Sequence, residues 1–359
     1  LLIAGANDNT DRWEIYNSVR GFAPRMRTNP GRVLFVQNTG HSIHDERPRW
    51  LARRIQQFLC EQRTRVPVRD RLLVALDVGG TAGNDFWVMD YHRPTRRWAH
   101  LSPIPGLSAD LNCDEGLPMP TAFGVRFAVA GDFDGDGQQE VAVAPDLPGT
   151  GGNDFWVIRY NSTSRQWTHL SPDRTHPFGA DLNCDLGLAR PTAFGVKLAV
   201  AGDFDGDGQN ELAVAPDAAG TGSNDFWVMK FDRASRRWLH LSPDATHPFD
   251  ADLNCDLGLA APTAFGVKFA VAGDFDGDGQ EELAVAPDVP GTGGNDLWVM
   301  KFNRDARQWG HLSPDPAHPF GADLNCDLGL ATPTAFGVKL AFAGDIDGDG
   351  QNELAVATD

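Results

Sequence analysis

The chain has 359 residues, enough for two domains or for one long repeat array. It carries 31 Lys and Arg against 49 Asp and Glu, and no apolar run approaches the roughly 18 residues of a membrane helix. The acidic balance argues against nucleic acid and anionic membranes as partners, because both select for basic patches.

Charge is distributed unevenly along the chain. Residues 1–70 carry 12 Lys and Arg against 7 Asp and Glu, whereas residues 71–359 carry 19 against 42. This contrast predicts an α/β segment at 1–64, a linker at 65–70 and a separate acidic domain at 71–359. Because no initiator Met is present, we expect a piece of a longer protein, so a missing signal peptide says nothing about export.

The leading segment alternates between strand and helix patterns. Apolar residues 1–4 predict a first strand, a helix follows from residue 10 or 11 to about 19, and residues 32–37 predict a second strand. Pro48 then opens a second helix, with Leu51, Ile55 and Phe58 at helical spacing. Strand, helix, strand, helix is half of an α/β sheet.

This segment resembles the C-terminal end of an α/β-hydrolase. The resemblance rests on a G-x-x-D after the first strand, Gly40-His41 after the second, and an E-x-P at the next helix start. It implies that Asp8 orients the imidazole of His41, which would act as general base. No G-x-S-x-G elbow is present, so we expect this chain alone to be inactive while its parent is a hydrolase. An inert α/β remnant is the alternative.

A 71-residue repeat dominates the rest of the sequence. The block from Phe194 to Asp217, FGVKLAVAGDFDGDGQNELAVAPD, recurs with small changes from Phe123, Phe265 and Phe336. Self-similarity at a fixed period predicts a repeat architecture.

Each repeat contains four predicted strands. Val196, Leu198 and Val200 alternate with smaller or polar residues, and residues 212–214 continue the pattern after an acidic loop, which predicts a hairpin. Residues 225–231 and 238–241 predict a third and a fourth strand, and residues 242–263 an extended loop. Four strands per repeat predict a mainly β fold, a β-propeller of four-stranded blades. The first repeat, from Arg71, lacks the acidic loop.

The acidic loop carries the chemistry. Asp203, Asp205, Asp207 and Glu211 place carboxylates at positions 1, 3, 5 and 9, while Gln209 offers a backbone carbonyl. Ca²⁺ takes six to eight oxygen ligands, and alternate residues of a tight loop can direct oxygens at one centre. Without a cation these acids would repel one another, so we predict four calcium sites. The remaining predicted ligands are Asp132, Asp134, Asp136, Gln138 and Glu140; Asp274, Asp276, Asp278, Gln280 and Glu282; and Asp345, Asp347, Asp349, Gln351 and Glu353.

The block around this loop resembles the FG-GAP (VCBS) repeat of integrin-type propellers. Phe194-Gly195 precedes the loop and Ala213-Val-Ala-Pro216 follows it, and the closing acid stands at position 9 where an EF-hand has it at 12. The resemblance implies that calcium braces the outer hairpin of each blade and has no catalytic role.

Other recurrent polar and aromatic residues allow two interpretations. Asp181, Asn183 and Asp185 could form another ion site or an Asx-rich turn, and the turn is the simpler interpretation. Paired tryptophans such as Trp227 and Trp238 could stack on sugars, but packing between blades is commoner. We expect surface or structural roles for the recurrent histidines, which are His169, His176, His240, His247, His311 and His318.

Four of the five cysteines recur at the repeat period. Equivalent positions on neighbouring blades are usually too far apart for a disulfide, so we expect reduced, buried thiols. These residues are Cys113, Cys184, Cys255 and Cys326.

Together these patterns favour a calcium-stabilised propeller that binds or positions a partner and is attached to a hydrolase. Calcium favours an extracellular or cell-surface location, because weak sites suffice where Ca²⁺ is abundant. The partner would be a protein or carbohydrate on the loop face. An adhesion or lectin-like propeller with an inert leading segment, and a purely structural array, are the alternatives.

Overall fold

A computed structural model describes the strands at 2–5 and 33–36, and then most of residues 71–358. The gaps in the second range are at 76–83, 106–108, 114–115, 118–120, 122, 147–152, 186, 189–191, 193, 218–223, 257, 260–262, 264, 289–294, 328 and 331–335. The chain divides into two compact units, Leu1–Asp70 and Arg71–Asp359.

In the first unit, β1 (Leu2–Gly5) pairs in parallel with β2 (Val33–Val36), with Leu2 opposite Val33. A parallel pair needs a crossover connection, and the carboxyl ends of both strands lie at one edge. The two predicted strands are therefore present. Asp8, His41 and the two predicted helices lie outside the described residues.

The second unit consists of consecutive antiparallel sheets, one for each repeat. A complete sheet follows the chain order of its four main strands, and a two-residue strand from the following segment pairs with the third strand. The first sheet contains β3 (Arg71–Ala75), β4 (Asp85–His92), β5 (Arg97–His100) and β6 (Leu111–Asn112); the second contains β7 (Gly124–Gly131), β8 (Glu140–Asp146), β9 (Asp154–Asn161), β10 (Gln166–His169) and β11 (Leu182–Asn183).

The next three sheets repeat this order. The third contains β12 (Gly195–Gly202), β13 (Glu211–Asp217), β14 (Asp225–Asp232), β15 (Arg237–His240) and β16 (Leu253–Asn254); the fourth contains β17 (Gly266–Gly273), β18 (Glu282–Asp288), β19 (Asp296–Asn303), β20 (Gln308–His311) and β21 (Leu324–Asn325); the fifth contains β22 (Val338–Gly344) and β23 (Glu353–Thr358). The four-stranded repeat predicted from the sequence is confirmed.

The segment predicted as an extended loop is more ordered than expected. A short 3-10 turn, Pro248–Asp250 in the third sheet, precedes β16, and β16 pairs with the start of β14. The turn carries Phe249 at a φ of 61°, and the ring of Phe249 packs edge-on against Phe194 at 4.9 Å between centroids. This segment therefore packs onto the sheet that precedes it.

Successive sheets stack face to face, with their first strands side by side. A Cβ added to Gly202 of β12 would lie 2.9 Å from the Cβ of Ala272 in β17, so the close approach requires glycine there. The apolar cores lie between sheets, and one of them joins Phe155 of β9 to Leu212 and Trp227 of the third sheet. Sheets stacked in this manner fit the blades of a β-propeller.

Burial on both faces explains a departure from the predicted alternation. All residues of β13 from Glu211 to Pro216 are buried, because a neighbouring sheet covers each face. In the outermost first sheet, by contrast, Trp98 is 53% exposed, whereas its counterpart Trp238 packs against Phe133 of the preceding sheet.

Candidate metal centre

Each acidic loop joins the first strand of a sheet to the second. We name them loop 1 (132–140), loop 2 (203–211), loop 3 (274–282) and loop 4 (345–353). In loop 2 the glycines Gly206 and Gly208 have φ values of +70° and +91°, which residues other than glycine rarely adopt. This backbone turns the loop tightly enough to bring its alternate carboxylates together.

Carboxylate oxygens converge in all four loops. Each loop places one oxygen from each of three acids within 4.8 Å of one another. The converging sets are Asp132, Asp134 and Asp136 in loop 1; Asp203, Asp205 and Glu211 in loop 2; Asp274, Asp276 and Glu282 in loop 3; and Asp345, Asp347 and Glu353 in loop 4. Oxygen-only groups of this kind can hold a hard cation.

The closing glutamate provides a further indication in loop 1. Glu140 is fully buried, and its Oε2 accepts hydrogen bonds from the backbone N–H of Phe133 at 2.9 Å and of Asp134 at 3.3 Å. Its Oε1 has no hydrogen-bond partner among the described residues. Burial, followed by the charge of Asp134, raises the pKa of Glu140 to about 8. A buried oxygen without a donor, beside three further carboxylates, fits a cation ligand.

In loops 2 and 3, the ammonium group of a lysine from the third strand lies among the carboxylates. The Lys230 Nζ of β14 lies 2.7 Å from Asp205 Oδ2, 2.7 Å from Asp207 Oδ2 and 2.9 Å from Glu211 Oε1. Lys301 makes the same contacts in loop 3 with Asp276, Asp278 and Glu282, at 2.6, 3.1 and 2.8 Å. Burial disfavours the ammonium, but the charge of Glu211 and the hydrogen bonds to the carboxylates hold the pKa of Lys230 above its ordinary range.

Loop 1 differs because an arginine occupies the corresponding position. Arg159 Nη1 of β9 approaches Asp134 Oδ2 only to 3.3 Å, and its side chain is 44% exposed. Arg233 Nη2 also lies 3.9 Å from Asp134 Oδ1. The prediction that the loop acids are uncompensated therefore fits loop 1 only in part: Asp134 has two arginines nearby, but among the described residues no Lys or Arg pairs with Glu140, whereas a lysine contacts the closing glutamate of loops 2 and 3. Sequence reasoning missed these lysines, although a basic residue does recur 25 positions after the second aspartate of loops 1, 2 and 3.

The loops are also joined to one another. Asn210 Oδ1 accepts the N–H of Asp132 at 2.8 Å, while the N–H of Asn210 donates to Asp132 O at 2.9 Å. Gln209 Nε2 donates to Phe133 O and Phe231 O at 2.8 and 2.6 Å, so its amide bridges two sheets. Whether the backbone carbonyl of Gln209 binds metal stays a prediction.

The recurrent histidines have structural roles. His169 Nδ1 lies 2.7 Å from Asp181 Oδ2, and His169 Nε2 lies 3.0 Å from Cys113 O of the preceding repeat. His240 makes the same two contacts one repeat later. Asp181 also accepts the N–H groups of Val157 and Ser171, so its carboxylate is fully used by the fold.

The tryptophans and cysteines follow the predictions for the inner repeats. Trp156, Trp227 and Trp298 are among the largest fully buried side chains, with Trp238 and Trp309 also buried. The four repeat cysteines are free thiols; three are buried and Cys326 is half-buried. Burial raises the pKa of Cys184 and Cys255 well above the ordinary thiol range.

Comparison with known proteins gives only weak similarities. No family model matches the chain, and no curated protein matches it. Among solved structures, an exotype rhamnogalacturonan lyase, YesX, is 17% identical with a TM-score of 0.32, over 79% of this chain and 48% of that chain. The Dos1 propeller is 12% identical with a TM-score of 0.30, over 65% and 44% of the two chains.

A GH74 xyloglucanase from Xanthomonas campestris is 16% identical with a TM-score of 0.35, over 80% of this chain and 33% of that chain. This chain spans less than half the length of each of these proteins. The similarities are too distant to transfer an activity. Among the described residues, no helix has the length and apolar character needed to cross a membrane.

Proposed function

We propose that residues 71–359 are a calcium-stabilised propeller module of the FG-GAP kind, which binds or positions a partner outside the cell. The observation that carries the proposal is in loop 1, where the buried Glu140 Oε1 has no hydrogen-bond donor among the described residues and oxygens of Asp132, Asp134 and Asp136 converge. Asp132 and Asp134 would hold the ion from one side and Glu140 from the other. The ion supplies positive charge and cross-links the ends of β7 and β8; it performs no reaction.

Calcium binding in loops 2 and 3 has an additional requirement. The ammonium of Lys230 occupies the space among the carboxylates, so it must move out before an ion can bind to Asp205 and Glu211. Each loop would therefore bind one Ca²⁺, with loop 1 binding more tightly than loops 2 and 3. The proposal places the module in a secreted or cell-surface location, since extracellular Ca²⁺ fills even sites with dissociation constants of about 10⁻⁴ to 10⁻³ M.

Calorimetric titration of the chelator-treated chain tests the proposal. Calcium should bind with heat, and Asp134→Asn should remove one site while the other three remain. Asp146→Asn, a change at the exposed end of β8, serves as the matched control and should bind calcium like the unsubstituted chain. Absence of binding heat, together with a melting temperature that chelator leaves unchanged, would refute the calcium assignment.

The partner of the module is a protein or a carbohydrate. Burial of the inner tryptophans removes the aromatic platforms that a sugar would need in those repeats. The first sheet differs, because Trp87 and Trp98 are exposed there and Trp98 lies beside Tyr91 at 5.2 Å between ring centroids. A glycan array screened with the chain and with Trp98→Ala distinguishes a lectin-like module from a protein-binding one.

A hydrolase attachment is supported by the parallel pairing of β1 and β2. The chain leaves both strands at the same sheet edge. In the sequence, Asp8 follows the first of these strands and His41 follows the second. We assign them the roles of orienting acid and general base in a longer parent protein that supplies the nucleophile.

A further inference from the structure

A second set of buried acids lies outside the loops. Asp154, at the start of β9, is 1% exposed, and neither of its carboxylate oxygens has a hydrogen-bond partner among the described residues. Asp225 and Asp296, the equivalent residues of β14 and β19, are equally buried and also lack a partner for both oxygens. An ionised carboxylate without partners is unstable in such a place, so it must either keep its proton or face a cation.

The neighbours of Asp154 supply further oxygens. Asn183 of β11 lies directly opposite Asp154 in the strand register, and Asn183 Oδ1 accepts the N–H of Asp185 at 2.7 Å. The carboxylate of Asp185 accepts the N–H and the hydroxyl of Thr192, at 3.0 and 2.9 Å. Asp185 is also close enough for its charge to act on Asp154. Two carboxylates and a side-chain amide therefore lie together.

The hydroxyl of Thr192 fixes the orientation of a fourth residue. Thr192 has one hydroxyl proton and donates it to Asp185, so it can only accept from Asn153 Nδ2, at 3.1 Å. The other end of that amide, Asn153 Oδ1, is buried and lacks a partner among the described residues. Within the part of the chain that the structure describes, the cluster thus contains three buried oxygens without a hydrogen-bond donor: Asn153 Oδ1 and the two oxygens of Asp154.

The next repeat has the same arrangement. Asn224 Nδ2 donates to Thr263 Oγ1 at 3.0 Å, and Thr263 Oγ1 donates to Asp256 at 2.8 Å. Asn224 Oδ1 and both oxygens of Asp225 are again without a partner among the described residues. No Lys or Arg of the described chain forms an ion pair with Asp154, Asp185, Asp225 or Asp256, whereas the acids of loops 2 and 3 each pair with a lysine of the third strand.

We propose that these clusters are a second set of cation sites, in which Asn153, Asp154 and Asp185, and equally Asn224, Asp225 and Asp256, bind a hard cation such as Ca²⁺. The ligands are carboxylate and amide oxygens only, and such oxygens suit Ca²⁺ better than they suit softer metals. The ion would fasten the short strands β11 and β16, and the loops that follow them, to the strands β9 and β14. This site is independent of the acidic loops.

The test separates the two kinds of site. In a loop-disabled chain, the middle aspartate of each loop is replaced: Asp134→Asn, Asp205→Asn, Asp276→Asn and Asp347→Asn. Native mass spectrometry of this folded chain in Ca²⁺ should still show bound ions, and adding Asp225→Asn should remove one of them. A folded loop-disabled chain that binds no Ca²⁺ would overturn the proposal even if the unsubstituted chain binds it. Loss of all Ca²⁺ binding in Asp134→Asn alone would also overturn it, because that chain keeps both clusters intact. A loop-disabled chain that binds as many ions as the unsubstituted chain would instead refute the loop assignment and leave the clusters standing.

Cys184 and Cys255 give a second readout if Asp225→Asn fails to fold. In the sequence, Cys184 directly precedes the ligand Asp185, and Cys255 directly precedes the ligand Asp256. Both thiols are buried. In the loop-disabled chain, Ca²⁺ at 100 times its dissociation constant should slow the labelling of both thiols about 100-fold, because the ion must leave before the cluster opens. Labelling rates that Ca²⁺ leaves unchanged would show that Asp154 and Asp225 hold protons, and would contradict the cation site.

Discussion

The acidic loop and the buried Asn-Asp cluster of one repeat solve the same electrostatic problem differently. In loop 2, near the surface, the charge of Asp205, Asp207 and Glu211 is met by Lys230 from the same sheet. In the cluster, Asp225 is 1% exposed, and within the described residues it forms no ion pair and neither of its oxygens has a hydrogen-bond partner. A conspicuous acidic motif can thus be neutralised by a lysine of its own sheet, whereas the dispersed cluster has no such lysine among the described residues.

Removal of calcium should have the largest effect on stability. An independent site exposed to Ca²⁺ at 100 times its dissociation constant stabilises the folded chain by about 2.7 kcal/mol, and several sites act together. Scanning calorimetry with calcium and with chelator should therefore show a large drop in melting temperature on chelation. If melting were unaffected by chelator, neither the loops nor the clusters would be metal sites.

Replacement of Lys230 should act in opposite directions with and without calcium. In chelator, Lys230→Met leaves Glu211 buried without a cation and should lower the free energy of unfolding by about 2 kcal/mol. The effect falls below the roughly 3–5 kcal/mol of a fully buried pair because the Lys230 side chain is 23% exposed. In calcium, the same change should tighten binding at loop 2, as measured by titration calorimetry.

The control for Lys230 is a lysine in a solvent-exposed ion pair. Lys197 lies 3.1 Å from Asp288, whose side chain is 54% exposed whereas Glu211 is fully buried, so Lys197→Met should change stability by less than about 1 kcal/mol. It should leave calcium binding unaltered. Equal effects of the two substitutions would mean that Lys230 does not compete with a metal ion.

The stability of the calcium-free chain should depend on pH through the cluster. Burial, followed by the charge of Asp256, raises the pKa of Asp225 to about 8 from an ordinary value of 3.8. Between these two values the folded chain holds a proton that the unfolded chain has released, so stability falls as pH rises from about 4 to 8. Denaturant unfolding at several pH values measures this slope. Asp225→Asn, which cannot titrate, should make the slope shallower; an unchanged slope would show that Asp225 is not the group responsible.

The smallest expected effect is catalytic. Without a nucleophile elbow, this chain should not hydrolyse p-nitrophenyl esters above background, whatever the roles of Asp8 and His41 in a parent protein. Ester turnover by the chain, lost in His41→Ala, would contradict this expectation and require a nucleophile elsewhere in the sequence.

The sheets could be predicted from the sequence because their signals are local and repeated. Alternating residues of β12 and the acids of loop 2 lie within short windows, and the 71-residue period repeats both. Burial of β13 on both faces could not be predicted in this way, since it depends on stacking between sheets.

The charge balance of the sites was harder to predict. Lys230 meets Asp205 across 25 residues, and only the folded sheet brings them together. Asn224 and Asp256 belong to one cluster but are separated by 32 positions, and the two-residue strand β16 that aligns them has too little pattern to detect. The sequence did mark Asn183 and Asp185 as an acidic group, but it also included Asp181, whose carboxylate binds His169 and the backbone.

An anomalous difference map from crystals grown in Ca²⁺ tests the central claim most directly. We expect a peak in loop 1 at about 2.3–2.6 Å from Glu140 Oε1, with the carboxylates of Asp132 and Asp134 as further ligands of the same ion. A well-ordered loop 1 with water or a protein donor at Glu140 Oε1, and no anomalous peak there, would contradict it.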